Sequence, residues 1–255
     1  MATTTALEIS VLPLQDSVPS RSVPVMTCTL IFINVVVFLF ELSLPQETRE
    51  QVFYLFGLVP AKFTNPDWAA AVGFPVNNYW PLLTHQFLHA GWLHIIGNMW
   101  TLWIFGDNVE DRMGPVRFLI FYLLCGLLAA LSHVLTQPDS TVPTVGASGA
   151  IAGVLGAYLL LFPTARVIVL FPLLFLPLFF ELPAVLYLGI WFLLQFYGGA
   201  LALAGPKSVG GIAWWAHVGG FLSGLILCLV FVRRRRIRPL QPDEYGLDWA
   251  WRPHR

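Results

Sequence analysis

The sequence predicts an all-α, polytopic membrane protein folded as a six-helix bundle. Only 11% of its 255 residues are charged and 57% are hydrophobic, its mean hydropathy is +0.71, and its uncharged runs recur at bilayer length. A soluble domain carries roughly 25% charged residues. Charge this sparse does not coat a water-soluble globule of this size, and disorder requires the opposite composition. Lys plus Arg (14) balances Asp plus Glu (14), so no basic field points to a nucleic-acid partner. The three cysteines, Cys28, Cys125 and Cys228, stand far apart inside apolar runs. They read as small core residues rather than a disulfide or metal framework.

A helix needs about 20 apolar residues to cross the hydrocarbon core, within a working range of about 17–25. Uncharged runs of this order fill residues 22–40, 76–106, 118–138, 140–165, 182–206 and 208–232. Residues 1–22 are therefore expected as a cytoplasmic N-terminal segment, 23–232 as the membrane domain and 233–255 as a basic cytoplasmic tail. The first run lacks a basic n-region and an A-x-A cleavage site, which predicts a retained anchor rather than a signal peptide. The segment from Glu41 to about Pro81 is long and aromatic, with Phe53, Tyr54, Phe56, Trp68, Phe74, Tyr79 and Trp80. It is expected partly in the outer leaflet, where aromatic side chains collect. Residues 167–180 are apolar but short and broken by Pro172 and Pro177, which predicts a buried or interfacial, non-helical connector.

Six crossings put both termini on one side. That side would hold Arg21, Arg112, Arg117, Arg166, Arg233–Arg236 and Arg238, and the other only Arg49, Lys62 and Lys207. The excess predicts cytoplasmic termini, with the arginine run as a stop-transfer anchor. The absence of a basic transit peptide fits a prokaryotic plasma membrane.

Polar residues inside the runs are costly there and are functional candidates by default. The second run contains His85, His89, His94 and Asn98; the spacing predicts that His85 shares a helix face with His89, and His94 with Asn98. The fourth contains Gly146-Ala147-Ser148-Gly149 and the sixth Ala216-His217-Val218-Gly219-Gly220. In the six-span topology, Ser148, His217 and the His94/Asn98 pair fall at one membrane level, near the external side. Gly149 with Gly153, and Gly220 with Gly224, form two small-residue ridges that would let the fourth and sixth spans approach closely. A serine hydroxyl becomes a nucleophile when an imidazole accepts its proton. A tetrahedral oxyanion then needs fixed donors, which His94 and Asn98 can supply. A triad acid should appear as an Asp or Glu inside a span; none does, and Glu181 stands only at a cytoplasmic edge, so a two-residue dyad fits better than a triad. His133, alone at the end of the third run, reads as a structural hydrogen-bonding residue.

These residues resemble the rhomboid intramembrane serine proteases of the six-helix bacterial form, over roughly Val23 to Val232. The resemblance is carried by His89, His94 and Asn98 at their spacing, by Gly106-Asp107-Asn108-Val109-Glu110-Asp111-Arg112-Met113-Gly114, by Gly146–Gly149, and by Ala216–Gly220 with Gly224. It implies Ser148 as nucleophile, His217 as general base, and His94 and Asn98 lining an oxyanion hole with the Ser148 N–H. It also implies transmembrane proteins as substrates and no cofactor. Two positions depart from the family pattern. Pro81 follows Trp80 where Trp-Arg is common, and Ala152 stands where some members place a Tyr beneath the imidazole. Support for His217 is therefore expected from elsewhere.

Rival chemistries fit less well. A zinc protease would want H-E-x-x-H, whereas His85-Gln86-Phe87-Leu88-His89 has Gln in the place of the base. Those histidines read as bonding the loop and helix start. An aspartyl protease would need two intramembrane Asp residues, and a coupled transporter a carboxylate in a span. The alternative from another class is a non-catalytic rhomboid-like protein that binds membrane segments, expected to lack the serine or the histidine.

Overall fold

The computed structural model describes residues 12–20, 22–75, 77–173, 176–204 and 212–233. The chain begins with a strand, β1 (Leu12–Asp16), then α1 (Val25–Ser43). The loop that follows is folded rather than extended, with short helices α2 (Gln46–Phe56), α3 (Ala61–Thr64), α4 (Pro66–Ala71) and α5 (Pro81–Thr84). After a 3-10 turn at His85–Phe87 come α6 (Trp92–Met113), α7 (Pro115–Thr136) and α8 (Ser148–Leu161). A hairpin, β2 (Arg166–Leu173) and β3 (Leu176–Pro183), leads to α9 (Ala184–Ala204) and α10 (Trp214–Phe231). Four of these helices are long and apolar enough to cross a membrane: 25–43, 115–136, 184–203 and 214–231. The protein is an integral, multi-pass membrane protein whose helices form one bundle.

α8 sits at the centre. Every residue from Gly149 to Tyr158 is buried, as expected of a helix apolar on all sides. Its 14 residues make it about 21 Å long, short of the ~30 Å hydrocarbon thickness. The uncharged run 140–165 therefore corresponds to a shorter helix, with residues 140–147 in an irregular approach to Ser148. The second run likewise divides: residues 88–91 are non-helical, and the long helix starts only at Trp92. His85 and His89 accordingly share no helix face. The Gly106–Gly114 motif forms the last turns of α6, and Gly114 (φ 79) makes the turn into α7 in a conformation that disfavours a side chain.

α6 is also where distant segments are tied. Pro24 gives α1 no side-chain cap, and Glu110 of α6 supplies one. Its carboxylate accepts from Met26 N (2.9 Å), Thr27 N (2.8 Å) and Thr27 Oγ1 (2.8 Å). An anion at these orphan donors also complements the positive end of the helix. Asp111 accepts from Ser22 N at 3.1 Å and from its hydroxyl. Asp16 accepts from Asn108 Nδ2 (2.8 Å) and from the Tyr158 hydroxyl (2.5 Å), joining β1 to α6 and α8.

The connector is non-helical, as the prolines require, and it forms a sheet, where the sequence predicts only an irregular segment. The strands run in the order β1-β2-β3, all antiparallel, pairing Leu12 with Leu170 and Asp16 with Val167 across a bulge. Val167 and Val169 turn inward into the core, in keeping with the alternation of a strand. At the hairpin base, Arg166 meets Glu181 at 2.9 Å.

At the opposite end, the loop of residues 41–81 is pinned to the approach to α8. Leu58 and Thr144 exchange two backbone hydrogen bonds (2.9 and 2.8 Å), and Ala61 N donates to Ser140 O at 2.9 Å. Tyr54, Phe56, Tyr79 and Trp80 remain exposed there, where the sequence reading placed an aromatic rim. Lys62 is buried over the Phe74 ring at 5.0 Å, and this burial lowers its pKa. Arg112 O accepts from Arg233 N at 3.1 Å, which brings the start of the arginine run to the end of α6. Arg21, Lys207, Arg234–Arg236 and Arg238 lie outside the described residues, as do most of the expected termini.

Glu110→Ala should destabilise the fold by about 1.5–3 kcal/mol through the uncapped, desolvated start of α1, with Glu110→Gln losing less. Reversible unfolding in mixed micelles measures it; an unchanged midpoint would mean that water caps α1 equally well.

Candidate active site

Ser148 is the first residue of α8, at a point where the chain must turn sharply. Gly146 makes that turn at φ 129, a conformation open to glycine. Its N–H donates to His85 O at 2.9 Å. A Cβ at Gly146 would lie 2.6 Å from His94 Nε2 and 3.6 Å from Asn98 Nδ2. The missing side chain thus lets α6 present both residues against the segment leading into Ser148. Below it, the first turn of α8 has backbone N–H groups without intrahelical partners, a ready environment for negative charge.

α10 meets α8 backbone to backbone. A Cβ on Gly220 would collide with Gly149 O, and one on Gly224 with Gly153 O. In return, a Cβ on Gly153 would approach Gly220 O at 3.2 Å. The two ridges seen in the sequence therefore face each other. Gly149 also meets α7, where its Cβ would lie 2.7 Å from Ala129 Cβ. With the helices this close, His217 Nε2 reaches Ser148 Oγ at 2.8 Å, a hydrogen bond between residues 69 apart in the chain.

The other imidazole nitrogen is held as well. His217 Nδ1 lies 2.7 Å from Gln195 Oε1 of α9. Trp191, one turn earlier on the same helix, sets its ring 6.0 Å from the imidazole at 34°. Neither residue was singled out in the sequence. The available signal was Gln195 itself, an amide within the uncharged run 182–206.

His94 and Asn98 lie one turn apart on α6, as their spacing predicts. Asn98 Nδ2 donates to His89 Nε2 at 3.0 Å, and the His89 and His94 rings pack edge to face at 5.1 Å. His89 is held in turn from α1: its backbone N–H lies 3.3 Å from both carboxylate oxygens of Glu41, which is fully buried. The sequence places Glu41 at the start of the loop; in the structure α1 continues through it to Ser43 and aims it inward. Among the described residues, the other two histidines bond loops, as expected: His85 Nδ1 to Pro81 O at 2.9 Å, and His133 Nε2 with Thr144 Oγ1 at 3.0 Å.

The contact of Ser148, at the start of α8, with His217 of α10, flanked by a His/Asn pair on α6, lies within a multi-pass helical bundle. Residues 76–234 match the rhomboid domain, and the chain belongs to the rhomboid family. It is 36% identical to YdcA of Bacillus subtilis over 88 residues, 34% of this chain and 44% of that protein. It is 32% identical to RHOMBOID-like protein 6, mitochondrial, of Arabidopsis thaliana over 169 residues, 65% of this chain and 47% of that one. Rhomboid protease GluP of Bacillus subtilis is 38% identical over 102 residues, 38% of this chain and 20% of its own. The chain therefore spans less than half the length of these curated relatives.

Gly220→Val should wedge α10 from α8 and cost about 1–3 kcal/mol or more as overpacking. Leu229→Val, on the exposed side of α10, should be mild. The thermal midpoint in detergent decides; equal midpoints for the two variants would place Gly220 outside the contact.

Proposed function

We propose that the protein is an intramembrane serine endopeptidase that cleaves transmembrane segments of other proteins with a Ser148–His217 dyad. The observation that carries the reading is the 2.8 Å contact between Ser148 Oγ and His217 Nε2. In this reading His217 Nε2 accepts the Ser148 proton as Oγ attacks the scissile carbonyl, and later delivers it to the leaving amine. Water then enters by the reverse path, with His217 as base, and frees the acyl group. Each step balances without a cofactor. The oxyanion is held by the Ser148 N–H with His94 and Asn98, both beside Gly146.

α8 is shorter than the bilayer core is thick, so a site at its first residue would lie below the external membrane surface, open to water from the side of the 41–81 loop. The termini would be cytoplasmic: Arg112, Arg117, Arg166 and Arg233 gather at the end of the bundle away from that loop, in keeping with the positive-inside rule. The bacterial relatives YdcA and GluP support a prokaryotic plasma membrane. Six crossings require α6, which is long enough at 22 residues but charged in its last turns, and the shorter α8 to count with the other four helices.

A second reading has a specific motive. The chain is also 32% identical over 80 residues to a relative named Inactive RHOMBOID-like protein 8 of Arabidopsis thaliana, 31% of this chain and 22% of that one. A binding protein of this fold would hold membrane segments without cutting them. The intact serine and histidine favour cleavage.

Reconstituted in lipid with a panel of single-span proteins, the parent should cut, and Ser148→Ala or His217→Ala should each abolish cutting. The double variant should be little worse than either, because the pair acts as a unit. Activity retained in Ser148→Ala would overturn the dyad. Asn98→Ala should lower kcat about 10- to 1,000-fold with KM little changed, since its bond strengthens as charge develops. A rise in KM alone would make Asn98 a structural contact.

A further inference from the structure

We propose that Gln195 is the positioning residue of the site: its side-chain oxygen holds His217 in the tautomer protonated at Nδ1, leaving Nε2 free to take the Ser148 proton. The proposal rests on the dyad reading above and adds to it a third group that fixes the imidazole.

The geometry is a relay of two short contacts through one ring, Gln195 Oε1 to Nδ1 at 2.7 Å and Nε2 to Ser148 Oγ at 2.8 Å. A neutral imidazole has one N–H, and the group bonded to one nitrogen decides what the other does. A carbonyl oxygen at Nδ1 takes the N–H there and directs the lone pair of Nε2 toward the serine. Were the amide turned to offer its NH2, the tautomer would reverse, and Nε2–H would point at Oγ without accepting its proton. Gln195 is also buried. A carboxylate in the same place would do the orienting of a triad acid but would have to be buried within the bilayer as an ion. The amide supplies the acceptor with no net charge. When His217 becomes an imidazolium in the transition state, the bond turns charge-assisted and strengthens.

The same helix replaces what Ala152 lacks. Gly220 packs so tightly that its Cβ would lie 3.3 Å from Ala152 Cβ, and α8 offers no ring beneath the imidazole at that position. Trp191 brings an aromatic face from α9 instead, one turn from Gln195. Orientation of the base thus comes from α9, while the serine and histidine come from α8 and α10.

The test uses the full-length protein in lipid nanodiscs. Three quantities are measured: the tautomer of His217 by 15N NMR of histidine-labelled protein, kcat and KM across pH on a single-span substrate, and the rate of Ser148 labelling by a fluorophosphonate. The parent should show Nδ1 protonated and Nε2 free. Gln195→Leu should lower kcat and the labelling rate by about 10- to 100-fold with KM within about twofold. Gln195→Glu, which keeps an acceptor, should recover most of the lost rate and move the acidic limb of the pH profile, set by deprotonation of His217, upward. A parent that labels at Ser148 but shows Nε2 protonated overturns the proposal, and so does a Gln195→Leu variant that labels as fast as the parent. A parent that neither cleaves nor labels at Ser148 overturns the dyad reading instead. The tautomer is read on the parent, so the decision does not depend on the folding of any variant.

Discussion

The contact on which the rest of the structure depends is the approach of two helix backbones, α8 and α10, with no side chain between them. Apolar burial gives little drive to helix pairing in lipid, so close van der Waals fit must supply it. Glycines on both faces allow the fit: Gly149 and Gly153 on one side, Gly220 and Gly224 on the other. A single added methyl on Gly220 or Gly224 would strike a carbonyl of the facing helix. The serine and histidine stand at the same end of that seam, and their 2.8 Å separation is a by-product of its tightness. The seam also explains Ala152, since a large side chain there would have to share space with Gly220.

Around this pair, the polar groups form chains that end on different helices. Glu41 of α1 fixes the backbone of His89, His89 fixes Asn98, and Asn98 lies by Gly146 before the serine. Glu110 and Asp16 tie the opposite end of α6 to α1, β1 and α8. The buried carboxylates Glu41 and Glu110 both meet hydrogen-bond donors, as burial away from water demands. The two faces of α9 differ in kind. Trp191 and Gln195 turn toward the imidazole, whereas Leu193, Leu194, Phe196 and Tyr197 are exposed.

Much of this was legible from the letters because the background is so apolar. Against uncharged runs, Ser148, His217, His94 and Asn98 stand out, and the glycine ridges follow from four-residue spacing. What was not legible depended on tertiary partners. Gln195 was visible as a polar residue, but nothing in the sequence tells which helix it faces. The shared face of His85 and His89 failed because the helix begins only at Trp92, after His89-Ala90-Gly91 has broken the period. The sheet was hidden for a different reason. Residues 167–180 are apolar almost throughout, so no alternation marks a strand, and the partner strand lies at the far end of the sequence.

That separation has a consequence for how the protein is made. β1 emerges first, yet its partner Val167 follows Asp16 by about 150 residues, roughly 8–30 s of translation at typical rates. Through that interval α1, α6 and α7 are synthesised while the first strand has no ladder to join. The hairpin can form on its own as soon as Pro183 is made, since β2 and β3 are adjacent in the chain. Closure of β1 onto β2 therefore has to wait for residue 167, whereas Asn108 and Tyr158, the other partners of this segment through Asp16, are made before it.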